Sequence, residues 1–589
     1  MAIAPAPPAR PAESIDAVPW MAQLSPDCRA WLADQMHAIA LAGGATLFQA
    51  GDTPDALYVL QSGCLGAFAP GNDARVIGQV VAGETVGETG LLTASPRSAT
   101  IRALRDSELL RLDRTVFDHL ALREPGAIVA MARLALARAT TPAYAQRAST
   151  GPRTIAVLPQ SEGLDVRGFA ETVGKALSLY GSYAVIDAAT GTNHDAGWFS
   201  RVESANQYVL YVADDGGDTA WRRLVLRQAD ALLFVAGAGA QPAPWSEFVR
   251  GIAAPLPRPE HLAVLHTAKP RLGAARRWAR HRAQARVHHI RSMSDVPRLA
   301  RLVAGKCMSL VLSGGGARGF AHIGVIKALR EAGIEIDAVG GTSIGAIIGA
   351  GVAADWSTEE MIAEFHKAFV ATNPLSDYTF PFVSMVSGRK VSRLLREAFG
   401  EREIEDLVLP YFCVSSNLTD GRMAVHRTGP LWQWLRASVA IPGVLAPVFY
   451  RGQVYVDGGV INNLPVETMR ESQRGEVIAV DIGGDHAVRA GEGVEEFDLP
   501  PLWKMIVQWY TGRRRPSIVE ILLRAGMVNS TATSFAARNA STLLIQPNLV
   551  GIDLLNWQAF DKAIEQGYQH TLRVLGAERE KLDEQAPLL

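Results

Sequence analysis

Ser343 stands in Gly341-Thr342-Ser343-Ile344-Gly345, after a predicted strand at 334–339 and before a thin apolar stretch containing Ala346, Gly349 and Ala350. A serine with glycine two residues away on each side is the pattern of a nucleophile on a sharp strand-to-helix turn. Only small neighbours let strand and helix approach closely enough to hold the strained backbone. The helix N-terminus then favours negative charge developing near the hydroxyl. Asp457, in Asp457-Gly458-Gly459, ends a predicted strand at 453–456, where a carboxylate can act as general base toward a serine. Gly314-Gly315-Gly316 follows a predicted strand at 309–312. Its unobstructed N–H groups can face the oxygen of a tetrahedral intermediate, and Arg318 adds a fixed positive charge or a structural tie. This chemistry is acyl transfer through serine. The same loop admits a second chemistry. Gly314, Gly316 and Gly319 satisfy G-x-G-x-x-G, with Asp337 about 20 residues further on, which is the spacing of a dinucleotide site. The aspartate motif weighs for the hydrolase.

These motifs resemble the patatin-like phospholipases, a family with a G-G-G-x-R-G oxyanion loop, a G-x-S-x-G nucleophile and a D-G-G or D-G-A motif, in this order. The resemblance implies Ser343 as nucleophile, Asp457 as the base of a Ser-Asp dyad, and Gly314, Gly315, Gly316 and Arg318 around the oxyanion. It implies a hydrolase of lysophospholipid or phospholipid esters that needs no metal or other cofactor. A free carboxylate titrates near about 4 and is a poor base unless burial or geometry helps. A histidine would give easier chemistry, and His486 and His570 are the ones that follow Asp457. Neither lies in a recognisable motif, so the dyad leads.

The elements that must position these residues form a parallel β-α-β-α unit, since helical spacing of Ile323, Ile326 and Leu329 separates the two strands. Upstream, short β runs broken by glycine or aspartate at 46–48, 56–60, 65–68, 76–80, 98–103 and 108–113 predict a small β-roll, flanked by helices at 26–39 and 114–138. Within it, Gly87-Glu88 and Pro96-Arg97-Ser98 resemble the phosphate cassette of cyclic-nucleotide-binding domains. There the arginine would neutralise the cyclic phosphate, the glutamate would accept a ribose hydroxyl, and Gly87 and Ser98 would give close backbone approach and one more donor. Two readings stay open: a cyclic nucleotide bound as regulator, or a scaffold kept with its pocket empty. Apolar runs at 154–158, 184–187, 208–213, 231–236 and 261–266, alternating with helical stretches, predict a second α/β domain with a parallel sheet. Asp214, Asp215 and Asp230 read as solvated loop carboxylates, and the arginine-rich stretch 271–301 as a solvated helical face.

The order of β-roll, α/β middle region and patatin-type domain resembles the neuropathy target esterase family and its bacterial relatives. The expected organisation is a disordered tail over 1–20, a cyclic-nucleotide-binding-like domain over 21–140, a middle α/β domain over 152–304, a patatin-like α/β/α hydrolase domain over 305–485, and an extension over 486–589 packing on it. A second function class is a nucleotide-responsive binding protein whose hydrolase domain is inactive.

Composition bounds these readings. The 589 residues are 48% hydrophobic and 20% charged, a globular balance with ample core. A formal net charge of −1 gives no pointer to nucleic acid. Four dispersed cysteines without C-x-x-C fit a reducing, cytoplasmic setting. No apolar run reaches the roughly 18 residues of a spanning helix. Contact with lipid is therefore expected from the membrane surface, with the aromatic stretch 502–510 and Arg513, Arg514 and Arg515 as one candidate.

Overall fold

The computed structural model describes residues 18, 20–69, 72–140, 152–214, 219–242, 258–267, 272–279, 285–473, 475–483, 500–501 and 534–585. The chain divides into two units, Met1–Pro270 with Arg277–Gly305, and Arg271–Arg276 with Lys306–Leu589.

The first unit opens with a β-roll of two four-stranded antiparallel sheets. One runs His37–Leu41, Ser107–Asp113, Ala56–Ser62, Thr85–Val86, and the other Thr46–Phe48, Thr100–Ala103, Cys64–Ala69, Asn72–Val81. Phe48, Leu60, Leu65, Ile101 and Leu109 fill it. The predicted helix over 26–39 stops at Gln35, and His37–Leu41 instead pairs with Ser107–Asp113. The helix predicted over 114–138 is two, Arg114–Arg123 and Pro125–Thr140. Pro125 cannot donate back into the preceding turn, and it disfavours helical geometry at Glu124.

The same unit continues as a six-stranded parallel sheet in the order Tyr183–Ile186, Tyr208–Val212, Thr154–Pro159, Ala231–Gly237, Glu260–Leu265, Arg286–Ile290. Its inner strands are near-continuous apolar runs because both faces are covered. The solvated helical face expected over 271–301 is corrected here. Arg286–Ile290 is a strand, and its His288 and His289 are buried against His261 and His266. Asp230 is likewise no free loop carboxylate, since it accepts from the N–H groups of Arg153 and Thr154. Asp215 lies outside the described residues.

The second unit is built on an eight-stranded mixed sheet in the order Val448–Tyr450, Gln453–Asp457, Tyr411–Asn417, Ala338–Thr342, Cys307–Leu312, Gly475–Val480, Leu543–Ile545, with Arg422–His426 also paired to Tyr411–Asn417. The helices Ala321–Glu331 and Ile344–Ala353 follow the two central strands. The chain's last helix, Phe560–Gln585, crosses Ala321–Glu331 so closely that a Cβ on Gly324 or Gly567 would strike the opposite backbone. The stretch 502–515 that the sequence offered for lipid contact lies outside the described residues. Among the described residues, no helix is long and apolar enough to cross a membrane.

Candidate active site

Strand Ala338–Thr342 turns into helix Ile344–Ala353 through Ser343, a non-glycine residue at φ 55° and ψ −126°. Left-handed φ is strained for an L-residue, and the packing around the turn explains how it is held. A Cβ on Gly345 would sit 2.5 Å from the carbonyl oxygens of Leu312 and Ser313, and one on Gly341 would sit 2.7 Å from the Gly345 carbonyl. The two glycines of the motif are therefore the space in which the elbow forms. Ser343 N–H donates to Ser438 Oγ at 2.9 Å, from the fully buried end of helix Leu431–Ser438.

Ser343 Oγ donates to Asp457 Oδ2 at 2.6 Å, and Asp457 Oδ1 accepts from Gly459 N–H at 2.8 Å. Asp457 ends strand Gln453–Asp457 and is only 5% exposed. Burial pushes its carboxyl up to about 6, against the opposing pull of the Ser343 and Gly459 donors. A carboxylate of that basicity is a better acceptor for a serine proton than one in water. Among the described residues no histidine is bonded to Ser343 or Asp457. His570 is half-buried on the last helix, and His486 lies outside the described residues.

The glycine run is fixed from two sides. Gly314 N–H donates to Asn463 Oδ1 at 3.1 Å, and Asn463 Nδ2 donates back to Gly314 O at 3.2 Å. The N–H groups of Gly315 and Gly316 take no partner among the described residues. Arg318 Nε donates to Ile552 O at 2.7 Å, so this buried guanidinium ties the loop to the segment before the last helix. His322, fully buried, bonds Ser313 O through Nε2 at 2.9 Å, and burial lowers its pKa to about 4. A neutral ring donating there holds the carbonyl just before the run. The sequence reading did not single out His322 or Ser438, which sit inside ordinary helical patterns. Asn463 follows the aspartate motif in sequence, yet its amide reaches the glycine loop.

Ser343 opens on a cavity of about 740 Å³ of empty space, its mouth included. Apart from Ser343 and Gly316, its lining is aliphatic or aromatic, including Ile347, Phe365, Phe369, Leu375, Val391, Leu395, Phe399, Ile441, Leu445 and Trp557.

In the β-roll, Gly87 (φ 91°), Glu88 and Arg97 come together, with Glu88 and Arg97 buried and Ser98 exposed. Arg97 donates to Gly87 O at 2.9 Å, Ala56 O at 2.7 Å and Asp55 Oδ1 at 3.2 Å, and lies 4.2 Å over the Phe48 ring. Two of its guanidinium nitrogens are thus bonded to the protein's own acceptors, while its buried Nε has no partner among the described residues.

Three family models match in succession: the cyclic nucleotide-binding domain at 39–124, the Neuropathy Target Esterase family P-loop like domain at 152–305, and the Patatin-like phospholipase at 310–470. An uncharacterized NTE family protein of Mycobacterium tuberculosis (strain ATCC 25618 / H37Rv) is 31% identical over 566 residues, covering 93% of this chain and 94% of that one. Patatin-like phospholipase domain-containing protein 6 of Homo sapiens is 29% identical over 611 residues, covering 91% of this chain and 44% of its own length. Lysophospholipase nte1 of Aspergillus fumigatus is 28% identical over 632 residues, covering 89% and 41%. The three matched domains stand in the order in which the sequence placed the β-roll, the parallel sheet and the serine motif, and with a relative matched along nearly the whole of both chains the protein belongs to the neuropathy target esterase family.

Proposed function

We propose that this protein is a serine hydrolase of lysophospholipid or phospholipid esters working through Ser343 and Asp457. The observation that carries the reading is that Ser343, hydrogen-bonded to Asp457, lines an otherwise apolar cavity. An acyl chain laid along that lining would bring its ester carbonyl to Ser343 Oγ. Asp457 accepts the serine proton as Oγ attacks, and the oxyanion is held by Gly315 and Gly316 N–H, the members of the run without a partner among the described residues. Gly314, through Asn463, and Arg318, through Ile552 O, keep the loop in shape. The proton on Asp457 passes to the leaving alcohol, and water then repeats the sequence on the acyl-enzyme to release the fatty acid. Substrate of this class reaches the cavity from a lipid surface.

The test is fatty acid release from lysophosphatidylcholine by the wild-type chain and by Ser343→Ala, with folding of both checked by circular dichroism. Release that vanishes in the variant supports the reading. Release that persists removes Ser343 from it, and no release from wild type on a wide ester panel favours the nucleotide-responsive binding protein.

A further inference from the structure

Between Leu375 and Val391, both in the cavity wall, the chain makes an excursion whose sequence is Tyr378-Thr379-Phe380-Pro381-Phe382-Val383. Its base is a narrow hairpin. Thr379 N–H donates to Met385 O at 2.9 Å, Ser387 N–H to Asp377 O at 3.0 Å, and Ser387 Oγ to Asp377 Oδ2 at 2.6 Å. Its return arm is pinned to the segment between Ile441 and Leu445, which also line the cavity. Met385 N–H donates to Gly443 O at 3.0 Å and Val386 N–H to Val444 O at 2.8 Å. The hairpin is therefore rooted in the cavity wall on both sides.

The tip is apolar and turned to solvent. Tyr378 is 79%, Phe380 72% and Phe382 87% exposed, with Val383 also exposed, and the Phe380 and Phe382 rings lie 4.7 Å apart. Single exposed apolar residues are ordinary on a protein surface, but an ordered row on a braced tip marks a contact surface. Directly after the hairpin, helix Arg389–Phe399 exposes Arg389 and Arg393 one turn apart. Aromatic rings beside arginines suit a bilayer interface, where the rings enter the headgroup layer and the cations meet phosphate.

We propose that this hairpin tip is the surface by which the catalytic unit docks on a phospholipid bilayer, with Phe380 and Phe382 inserted at headgroup depth and Arg389 and Arg393 against lipid phosphates. The proposal rests on the lipid-hydrolase reading for its biological sense. Its placement follows from the rooted hairpin: docking by the tip holds the cavity wall at the lipid surface.

The experiment is flotation of the full chain with vesicles of phosphatidylcholine, with and without phosphatidylglycerol. The double variant Phe380→Ser/Phe382→Ser should lose at least about tenfold in partitioning to both. Arg389→Glu/Arg393→Glu should weaken chiefly the binding to anionic vesicles, with salt sensitivity lost in parallel. A Phe382→Trp variant should shift its emission to the blue on adding vesicles and be quenched by brominated lipid. Hydrolysis of soluble p-nitrophenyl butyrate should be unchanged in the double variant while turnover of vesicle-borne lysolipid falls. Unchanged flotation together with an unshifted tryptophan would overturn the proposal, as would a tip variant that alters oligomeric state while vesicle binding persists. Flotation reads docking without turnover, so an inactive hydrolase and a misplaced docking surface give separate results.

Discussion

The side-chain amide of Asn463 bonds the peptide unit of Gly314 in both directions, accepting from its N–H and donating to its carbonyl. Asn463 follows Asp457 by six residues and Gly314 precedes Ser343, so the loop carrying the base is fastened to the loop facing the oxyanion. Asn463→Ala should lower kcat with little change in KM, because substrate contacts in the cavity are untouched while the glycine loop loses its register. A displacement of about 1 Å in such a loop costs on the order of 10²-fold. Asn463→Asp should be worse, since a carboxylate cannot donate to Gly314 O and sets a negative charge beside the oxyanion. Steady-state kinetics on a soluble ester check both, and a fall confined to KM would remove Asn463 from this role.

Asp457 gives a pH dependence with a definite sign. Its carboxyl is pushed up to about 6 by burial, and only the carboxylate form can accept the serine proton. Then kcat/KM should be flat above about pH 7 and fall about tenfold per pH unit well below 6. Stability runs the other way. A carboxyl raised in the folded state favours folding below its unfolded value near about 4, and that contribution is lost as pH rises through about 6. Asp457→Asn should therefore abolish hydrolysis yet raise stability at neutral pH, by up to about 2 kcal/mol. Urea unfolding of the two proteins at pH 7.5 checks it, and an unchanged or lower midpoint contradicts the burial cost assigned to the Asp457 carboxylate.

The serine elbow and the aspartate motif were legible because each depends on glycines at fixed offsets, and the structure gives the reason in the atoms a Cβ on Gly341 or Gly345 would meet. The parallel sheet of the first unit was legible as apolar runs alternating with helical stretches. Contacts between distant segments left no local trace. Nothing in residues 431–438 marks Ser438 as the acceptor for Ser343 N–H, and Arg318 carries no sign that its partner is Ile552. The helix predicted over 26–39 takes in residues 37–39, the start of a strand whose partner lies about 70 residues downstream. Histidines read as a solvated face at 288–289 turned out to be strand residues, a distinction set by what packs on them.

Within the first unit, Arg105 of the β-roll is buried against the parallel-sheet domain. It donates to Glu203 at 2.8 Å and lies 3.6 Å from Asp230, while Tyr211 OH donates to Glu203 at 2.7 Å. Beside it Asp106 accepts from Arg227 Nε at 2.9 Å and from Gly43 N–H at 2.8 Å. Removing Arg105 leaves Glu203 buried without its cation, and burial already raises the pKa of that carboxyl. Arg105→Ala should destabilise the first unit by about 3–5 kcal/mol, and Arg105→Ala/Glu203→Gln should recover much of the loss. Differential scanning calorimetry of the full chain checks this. Equal loss in the single and double variants would show that packing, not charge pairing, joins the two domains.

His261 and His288, on neighbouring parallel strands, are bonded Nδ1 to Nε2 at 2.9 Å with both rings buried. Burial lowers His261 to about 3 and His288 well below its ordinary value, with Arg286 opposing a positive charge on both rings. One ring must donate and the other accept, so the bond is lost once the accepting nitrogen is protonated, and burial opposes a charge on either ring. A histidine depressed in the folded state contributes stability that is fully present above its unfolded value near about 6.5 and is lost as pH falls toward the folded value. The first unit should therefore lose stability between about pH 6.5 and 4 more steeply than its carboxylates alone require. The paired His261→Phe/His288→Phe variant should unfold with a shallower dependence over that range, because neither state then binds those protons. Denaturant midpoints measured from pH 7.5 down to 5.0 decide it: parallel slopes in the two proteins would mean that the buried pair does not set the acid limit of this unit.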